Sequence, residues 1–132
     1  MLSLRKSFTF FFLLGLSFVC QSVGGKDRWS PKTTYKDIVS GAQAGSSYFQ
    51  GLLGIYLRSG EAGSEVNIEL AREWSQAASR KEHPFGFYNL ANLAMLKGDF
   101  EGATSYYQDS ALLLQRLVSE GDPVAMYCMA EI

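Results

Sequence analysis

Residues 53–78, LGIYLRSGEAGSEVNIELAREWSQAA, contain the pattern that decides the fold. Leu53 and Leu57 lie four residues apart, at the spacing of one helical face, and the glycine-containing stretch 60–67 interrupts that pattern. Beyond the interruption, small residues flank Trp74 at helical spacing. The stretch therefore predicts two helices joined by a loop, in which small side chains allow close packing and the aromatic ring fills the space between neighbouring pairs.

The same two-helix pattern recurs along the chain. The Leu-Gly pair at 53–54 is followed by Leu-Ala at 90–91, 37 residues later, and by Met-Ala at 129–130, another 39 residues later. The second-helix signature at 71–78 is matched by ATSYYQDSA at 103–111, where small residues again flank aromatic ones. Because no single helix pair can bury its own apolar stripe, such pairs must stack, as they do in a solenoid.

Local signals at the predicted helix ends agree with this organisation. His83-Pro84 opens the third helix, since proline is tolerated in a first helical turn. Gly98 supplies a left-handed residue where that helix ends. Residues 121–123, Gly-Asp-Pro, predict that one helix stops and the next is capped and begins. The sequence thus predicts about five helices in antiparallel pairs.

These signatures resemble the Sel-1-like repeat family, which is related to the tetratricopeptide repeats. Leu53-Gly54 and Gly60 match the first helix of that repeat, with Leu57 where tyrosine is usual, and residues 71–78 match the second helix. The second unit departs from the pattern, because its loop is short and its second helix is extended. The resemblance implies an all-α fold, an α-α superhelix of about two and a half repeats. The expected units span approximately 41–80, 81–120 and, in part, 121–132.

The first 24 residues have the layout of a secretory signal peptide. Arg5 and Lys6 precede the uncharged, phenylalanine-rich stretch 8–20, and Ser22 and Gly24 suit cleavage before residue 25. Removal of this leader would leave 108 residues and a net charge of −3, since two of the 12 basic residues leave and all 13 acidic ones remain. An exported protein, periplasmic or secreted and most consistent with a bacterial source, is therefore expected.

Two alternatives for the leader remain open. The uncharged stretch 7–25 is barely long enough for an uncleaved membrane anchor, and polar residues interrupt it. A lipidated Cys20 is the other, although Val19 stands where the bacterial lipoprotein motif has a small residue. Contact with a membrane is expected only through this leader.

Residues 25–40 are predicted to be an extended linker, because they are polar and contain Pro31 without a helical period. Trp29 and Tyr35 either fold back over the first helix or belong to a loosely held tail. The sequence does not distinguish these two arrangements.

The sequence contains no recognisable catalytic, metal or cofactor motif, so we expect a non-enzymatic protein without cofactors. His83, the single histidine, is expected to have a polar or capping role at a helix start; a pocket that joined it to a carboxylate and a hydroxyl would instead favour a secreted hydrolase or inhibitor. Cys128 is expected to be a small apolar core residue. The net charge of −1 argues against nucleic acid as a partner.

By register from the Leu-Gly pairs, the resemblance implies a concave groove that binds a protein or peptide. The candidate groove residues are Tyr48, Ile55 and Arg58 in the first unit, Phe85, Tyr88, Asn92 and Met95 in the second, and Tyr127 in the third; Gly51, Val124 and Glu131 occupy equivalent positions. The alternative is that several of these side chains pack between units. The leading expectation is an adaptor or scaffold protein, and a membrane-tethered interaction module is the variant in which the leader stays uncleaved.

The last predicted helix is apolar on all sides. Residues 124–130, VAMYCMA, carry no charge, whereas the ends of solenoids usually present polar caps. Three explanations are therefore expected: the sequence is a piece of a longer chain, the helix self-associates with a second copy, or it pairs with another protein.

Overall fold

A computed structural model describes residues 27–132, and the predicted leader, with Cys20, lies outside them. Within the described residues the fold is all-α, as predicted, with no β-strand. The six helices are α1 (Tyr35–Gln43), α2 (Ser47–Ser59), α3 (Ile68–Arg80), α4 (Pro84–Lys97), α5 (Phe100–Ser119) and α6 (Pro123–Glu131), and a 3-10 turn (Glu61–Gly63) follows α2. Each helix packs on the next, and α4 also packs on α2, an arrangement consistent with a helical repeat.

The helix ends follow the predicted local chemistry. Gly98 ends α4 with a φ of 78°, which is the left-handed conformation that glycine adopts without steric cost. Gly121, with a φ of 80°, follows α5, and Asp122 caps α6 by accepting a hydrogen bond of 2.9 Å from the backbone N–H of Ala125. Pro84 and Pro123 each occupy the first turn of their helix. The predicted ends at these positions are confirmed.

The extended linker predicted for residues 25–40 is wrong from Tyr35 onward, because α1 begins there. Thr34 and Asp37 form a capping box: the Thr34 hydroxyl accepts from the backbone N–H of Asp37, and the Asp37 carboxylate accepts from that of Thr34. One face of α1 is buried against α2 through Ile38 and Ala42. This capping box and the four-residue spacing of the two apolar residues are the signals that identify the helix.

Glycines mark the places where helices approach most closely. A Cβ added to Gly54 in α2 would collide with the Ser75 hydroxyl and would lie 3.1 Å from the carbonyl oxygen of Ala71, both in α3. A Cβ on Gly86 in α4 would lie 2.6 Å from the carbonyl oxygen of Ser75. The glycine of the Leu-Gly pair is therefore required because the α3 backbone passes directly over it.

The core lies between the helices and includes Phe85, Leu52, Ile38 and Leu114, all nearly inaccessible to solvent. Among residues 27–132, no helix combines the length and the apolar character needed to cross a bilayer.

Candidate binding site

A cavity of about 240 Å³ lies between α2 and α6. Its walls are mostly apolar and aromatic, and Glu61 is the charged residue among them. The lining residues are Trp29, Leu52, Ile55, Tyr56, Glu61, Pro123, Val124, Tyr127 and Cys128. A concave, aromatic-lined site with few polar groups is typical of a binding pocket.

Residues 27–34, which we call the strap, contact both the cavity and the C-terminal end of α5. The Trp29 ring lines the cavity, and its backbone N–H donates a 3.2 Å hydrogen bond to the Tyr48 hydroxyl. Arg28 forms an ion pair with Glu120, which follows α5. Trp29 and Tyr35 are both half-buried against the core, so of the two predicted arrangements the structure has the one in which they fold back.

Tyr48 and Asp122 join the first predicted unit to the last. The buried Tyr48 hydroxyl donates a 2.9 Å hydrogen bond to one Asp122 carboxylate oxygen, while the other oxygen caps α6. Burial of its ring raises the pKa of Tyr48, so the phenol stays a donor at any ordinary pH. This pair therefore has the features of a structural latch, with a neutral donor and a fully engaged carboxylate.

His83 lies beside this latch and caps α4. Its Nδ1 accepts a 3.3 Å hydrogen bond from the backbone N–H of Phe85, and its ring packs edge-on against those of Tyr48 and Phe85, at centroid distances of 5.6 Å and 4.8 Å. Burial lowers the pKa of His83 to about 4, which the charge of Asp122 only partly offsets. The predicted capping role is confirmed. The lowered pKa agrees with this role, because Nδ1 can accept a hydrogen bond only when the ring is neutral.

The structure brings His83 close to a hydroxyl and a carboxylate, those of Tyr48 and Asp122. The Tyr48 hydroxyl donates to the carboxylate and not to the imidazole, and its pKa is raised rather than lowered. A nucleophilic hydroxyl needs a base as its hydrogen-bond partner. None of these three side chains lines the cavity between α2 and α6.

Arg58 is positioned by a chain of hydrogen bonds across three helices. Its Nε donates to the Asn89 side-chain oxygen at 2.6 Å, the Asn89 amide donates to the Ser75 hydroxyl at 2.7 Å, and Ser75 donates to the carbonyl oxygen of Ala71 at 2.6 Å. Arg58 is half-buried, and none of the ion pairs among residues 27–132 includes it. One of the five guanidinium N–H groups is thus engaged, and the other four remain for water or a ligand.

Four of the predicted groove residues, Tyr48, Ile55, Phe85 and Tyr88, are buried and pack within the fold. These four side chains therefore leave little surface for a ligand. Ile55 nevertheless reaches the cavity wall through its small exposed area. The burial of the other three side chains follows from the packing of α2 on α4.

The remaining four predicted groove residues keep accessible surface. Tyr127 and Met95 are exposed, and Arg58 and Asn92 are half-buried. Asn92 accepts a 3.1 Å hydrogen bond from the Tyr107 hydroxyl. The structure thus brings Tyr127 and Ile55 to one cavity, with Arg58 one turn beyond Ile55 on α2, while Met95 lies at the far end of α4 and does not line the cavity.

Four lining residues carry no sequence signal of a site: Trp29, Tyr56, Glu61 and Cys128. Trp29 reaches the cavity only because the strap folds back, which no local pattern indicates. Cys128 is fully buried, as predicted, and burial raises its thiol pKa to about 12. The thiol is therefore protonated at neutral pH and acts as an apolar wall of the cavity.

Within the part of the chain that the structure describes, no group of three or more metal-binding side chains comes together. Comparisons with protein-family models, with curated proteins and with solved structures found no match.

Proposed function

We propose that this chain is an exported, non-enzymatic adaptor of the Sel-1-like repeat type, about two and a half units long, that binds a peptide segment of another protein. The observation that carries the proposal is the aromatic-lined cavity between α2 and α6. The recurrence of the Leu-Gly and small–aromatic–small signatures supports the assignment to the repeat type. The leader-like sequence over residues 1–24 supports export.

The size of the cavity favours a peptide side chain over a whole small molecule. Sites that enclose drug-sized ligands measure roughly 300–1,000 Å³, and this one measures about 240 Å³. That volume suits one or two apolar side chains, held against Trp29 and Tyr127. Aromatic residues at the centre of a contact commonly supply most of the binding free energy.

Arg58 does not line the cavity but lies beside it, and it would extend the site with a polar group. It lies one helical turn beyond Ile55 on α2, and its guanidinium is held by Asn89 and has no carboxylate partner among the described residues. A cation already fixed in place loses little side-chain entropy when a carboxylate or carbonyl of a ligand binds to it. The proposed ligand is therefore an apolar side chain with an acceptor group nearby.

The test is capture of the partner from the native compartment with two variants and two matched controls. Tyr127→Ala and Arg58→Gln should each lower partner recovery at least tenfold, the loss expected when a central contact is truncated. Tyr106→Ala removes an exposed tyrosine outside the cavity, and Arg80→Gln removes an exposed arginine of α3. Both control variants should recover the partner as the wild type does.

Retention of the fold is checked by circular dichroism melts of all four variants. A second reading uses Trp29 fluorescence in a Trp74→Phe background, because only Trp29 then reports, and it lines the cavity. Unchanged recovery with both Tyr127→Ala and Arg58→Gln would refute the proposal.

A further inference from the structure

The strap is attached to the rest of the fold in the way that a peptide is held by a binding protein. Arg28 forms the ion pair with Glu120, and the backbone N–H of Trp29 donates the 3.2 Å hydrogen bond to the Tyr48 hydroxyl. The Trp29 ring packs against the core and lines the cavity. One cation, one backbone N–H and one aromatic ring, all from two adjacent residues, therefore hold the strap in place.

The acidic groups beneath the strap stay paired when it leaves. Glu120 accepts a second hydrogen bond, of 3.1 Å, from Nε of Arg116. The Tyr48 hydroxyl donates to Asp122, whose other carboxylate oxygen caps α6. Loss of the strap therefore leaves neither carboxylate without a partner, and the site is preformed for another occupant.

Residues 30–33 form a turn that separates the attached pair from α1. The Ser30 backbone N–H donates to the Thr33 hydroxyl at 2.8 Å, and the Thr33 backbone N–H donates to the Ser30 carbonyl oxygen at 2.9 Å. The ion pair of Arg28 reaches solvent, and exposed ion pairs contribute little to stability. Residues 28 and 29 can therefore leave their site while Thr34 still caps α1.

The site beneath the strap suits a particular pair of residues. The hydrogen bond and charge of Glu120, and more weakly the charge of Asp122, raise the pKa of Arg28, so the subsite for the first residue is acidic. The subsite for the second residue is the apolar cavity wall, beside the hydroxyl oxygen that accepts its backbone N–H. A basic residue directly followed by an aromatic one satisfies both subsites.

We propose that the strap is a displaceable intramolecular ligand, and that its place is taken by a segment of the protein partner in which a basic residue directly precedes an aromatic one. The aromatic ring of that segment then forms the cavity wall in place of Trp29. A further apolar side chain of the same segment enters the cavity. The inference rests on the proposed function, because this additional side chain is what favours the partner over the tethered strap.

The tether decides which segments can displace the strap. A segment joined by a short linker competes at an effective concentration of roughly millimolar. The strap of a second copy offers the same contacts at a far lower concentration, so exchange between copies is not favoured. Only a segment that adds a contact inside the cavity displaces the strap efficiently.

The first test measures binding of the strap sequence in trans to the full chain. The probe is a peptide of residues 27–34 with fluorescein at its N-terminus and an amide at its C-terminus. Arg28→Ser combined with Trp29→Ala empties the site in the protein, and circular dichroism melts check that the fold is retained. We expect saturable binding to this chain in fluorescence anisotropy, and binding to the wild type that is weaker by roughly tenfold or more, because its own strap competes.

Matched changes in the peptide and in the protein locate the contact. In the peptide, Trp29→Ala should weaken binding roughly tenfold and Arg28→Gln about threefold, whereas Lys32→Gln should have no effect, since no ion pair among residues 27–132 includes Lys32. In the protein with the emptied site, Glu120→Gln should weaken binding about threefold. Glu101→Gln, at an exposed carboxylate near the other end of α5, should leave it unchanged.

A second measurement follows displacement without emptying the site. In a Trp74→Phe chain, Trp29 is the only tryptophan. An unlabelled peptide of residues 27–34 with Trp29→Phe contains no tryptophan and should displace the strap when it is in excess. Quenching of Trp29 fluorescence by acrylamide should then rise toward the value measured in urea.

Several results would overturn the proposal. These are no saturable binding to the chain with the emptied site, equal binding to that chain and to the wild type, unaltered Trp29 quenching, or a captured partner whose bound segment lacks a basic–aromatic pair. Light scattering that shows a dimer which Trp29→Ala converts to monomer overturns it in favour of exchange between copies. Arg58→Gln should not alter peptide binding. Partner capture unaffected by Arg58→Gln and Tyr127→Ala refutes the proposed function alone, so the two failures are distinguishable.

Discussion

Replacement of His83 should remove a large part of the acid sensitivity of this fold. His83 has a lowered pKa of about 4 because its ring is buried against Tyr48 and Phe85; Asp122 opposes that shift, while Arg28 adds to it. An unfolded histidine has a pKa near 6.5. Since the folded pKa lies below the unfolded one, the neutral ring stabilises the fold above about pH 6.5, and this stabilisation is lost as the pH falls toward 4.

The two pKa values set the size of this effect. Between pH 7 and pH 5, linkage predicts that the wild type loses about 2 kcal/mol of unfolding free energy through this one group. His83→Asn keeps a side-chain acceptor at the start of α4, because asparagine is also a strong N-cap residue. The variant is expected to be less stable than the wild type at pH 7, where the ring packing is lost, and to approach or overtake it at pH 5.

Urea unfolding followed by circular dichroism at several pH values measures this difference. Both proteins contain the same carboxylates, so subtraction of the two curves isolates His83, the only histidine in the chain. NMR spectroscopy gives a direct control. Because the chain has one histidine, the imidazole proton resonances belong to His83, and their pH titration measures its pKa in the folded protein. The reasoning would be refuted if the unfolding free energies of the two proteins changed in parallel with pH, or if the measured pKa of His83 were above 6.

The other predictions concern close packing, the latch and the thiol. Gly54→Ala should cost about 1–3 kcal/mol of unfolding free energy, because the added methyl meets the hydroxyl and carbonyl groups of α3; a melt equal to that of the wild type would contradict this. Tyr48→Phe should cost about 1–3 kcal/mol, since a buried carboxylate oxygen loses its donor, whereas the matched change Tyr35→Phe, at a half-buried tyrosine, should be close to neutral in urea unfolding. Cys128, measured in a Cys20→Ser chain, should react with a thiol reagent at pH 8 roughly a thousandfold more slowly when folded than in urea, because its pKa is raised to about 12. Equal rates in the two states would show that the thiol is neither buried nor protonated.

The features that the sequence predicts well are those that depend on neighbouring residues. Gly98 ends α4, and Asp122 with Pro123 begins α6, because capping chemistry acts within three or four residues. The helix α1 was not predicted, because its capping box lies in a polar stretch close to Pro31. Its apolar pattern is also short, since only Ile38 and Ala42 are buried in it.

The site is harder to predict because it depends on contacts between distant parts of the chain. Phe85 and Tyr88 have the composition of a binding surface but are buried, since α2 packs against α4. Trp29 becomes a cavity wall because its backbone bonds to Tyr48, 19 residues away. Register therefore identifies the cavity residues Ile55, Val124 and Tyr127, but it does not identify Trp29, which depends on a distant contact.

The contact between Tyr48 and Asp122 has a consequence for how the protein melts. In an array where each unit touches only its neighbours, the ends fray independently of the middle. Here the Tyr48–Asp122 hydrogen bond joins positions 74 residues apart, and the Arg28–Glu120 ion pair joins positions 92 residues apart. Because loss of α6 would also remove the acceptor of the Tyr48 hydroxyl in α2, opening of one end destabilises the other. The chain should therefore unfold in one all-or-none step, and these distant pairings should make it fold more slowly than a helical protein with only local contacts.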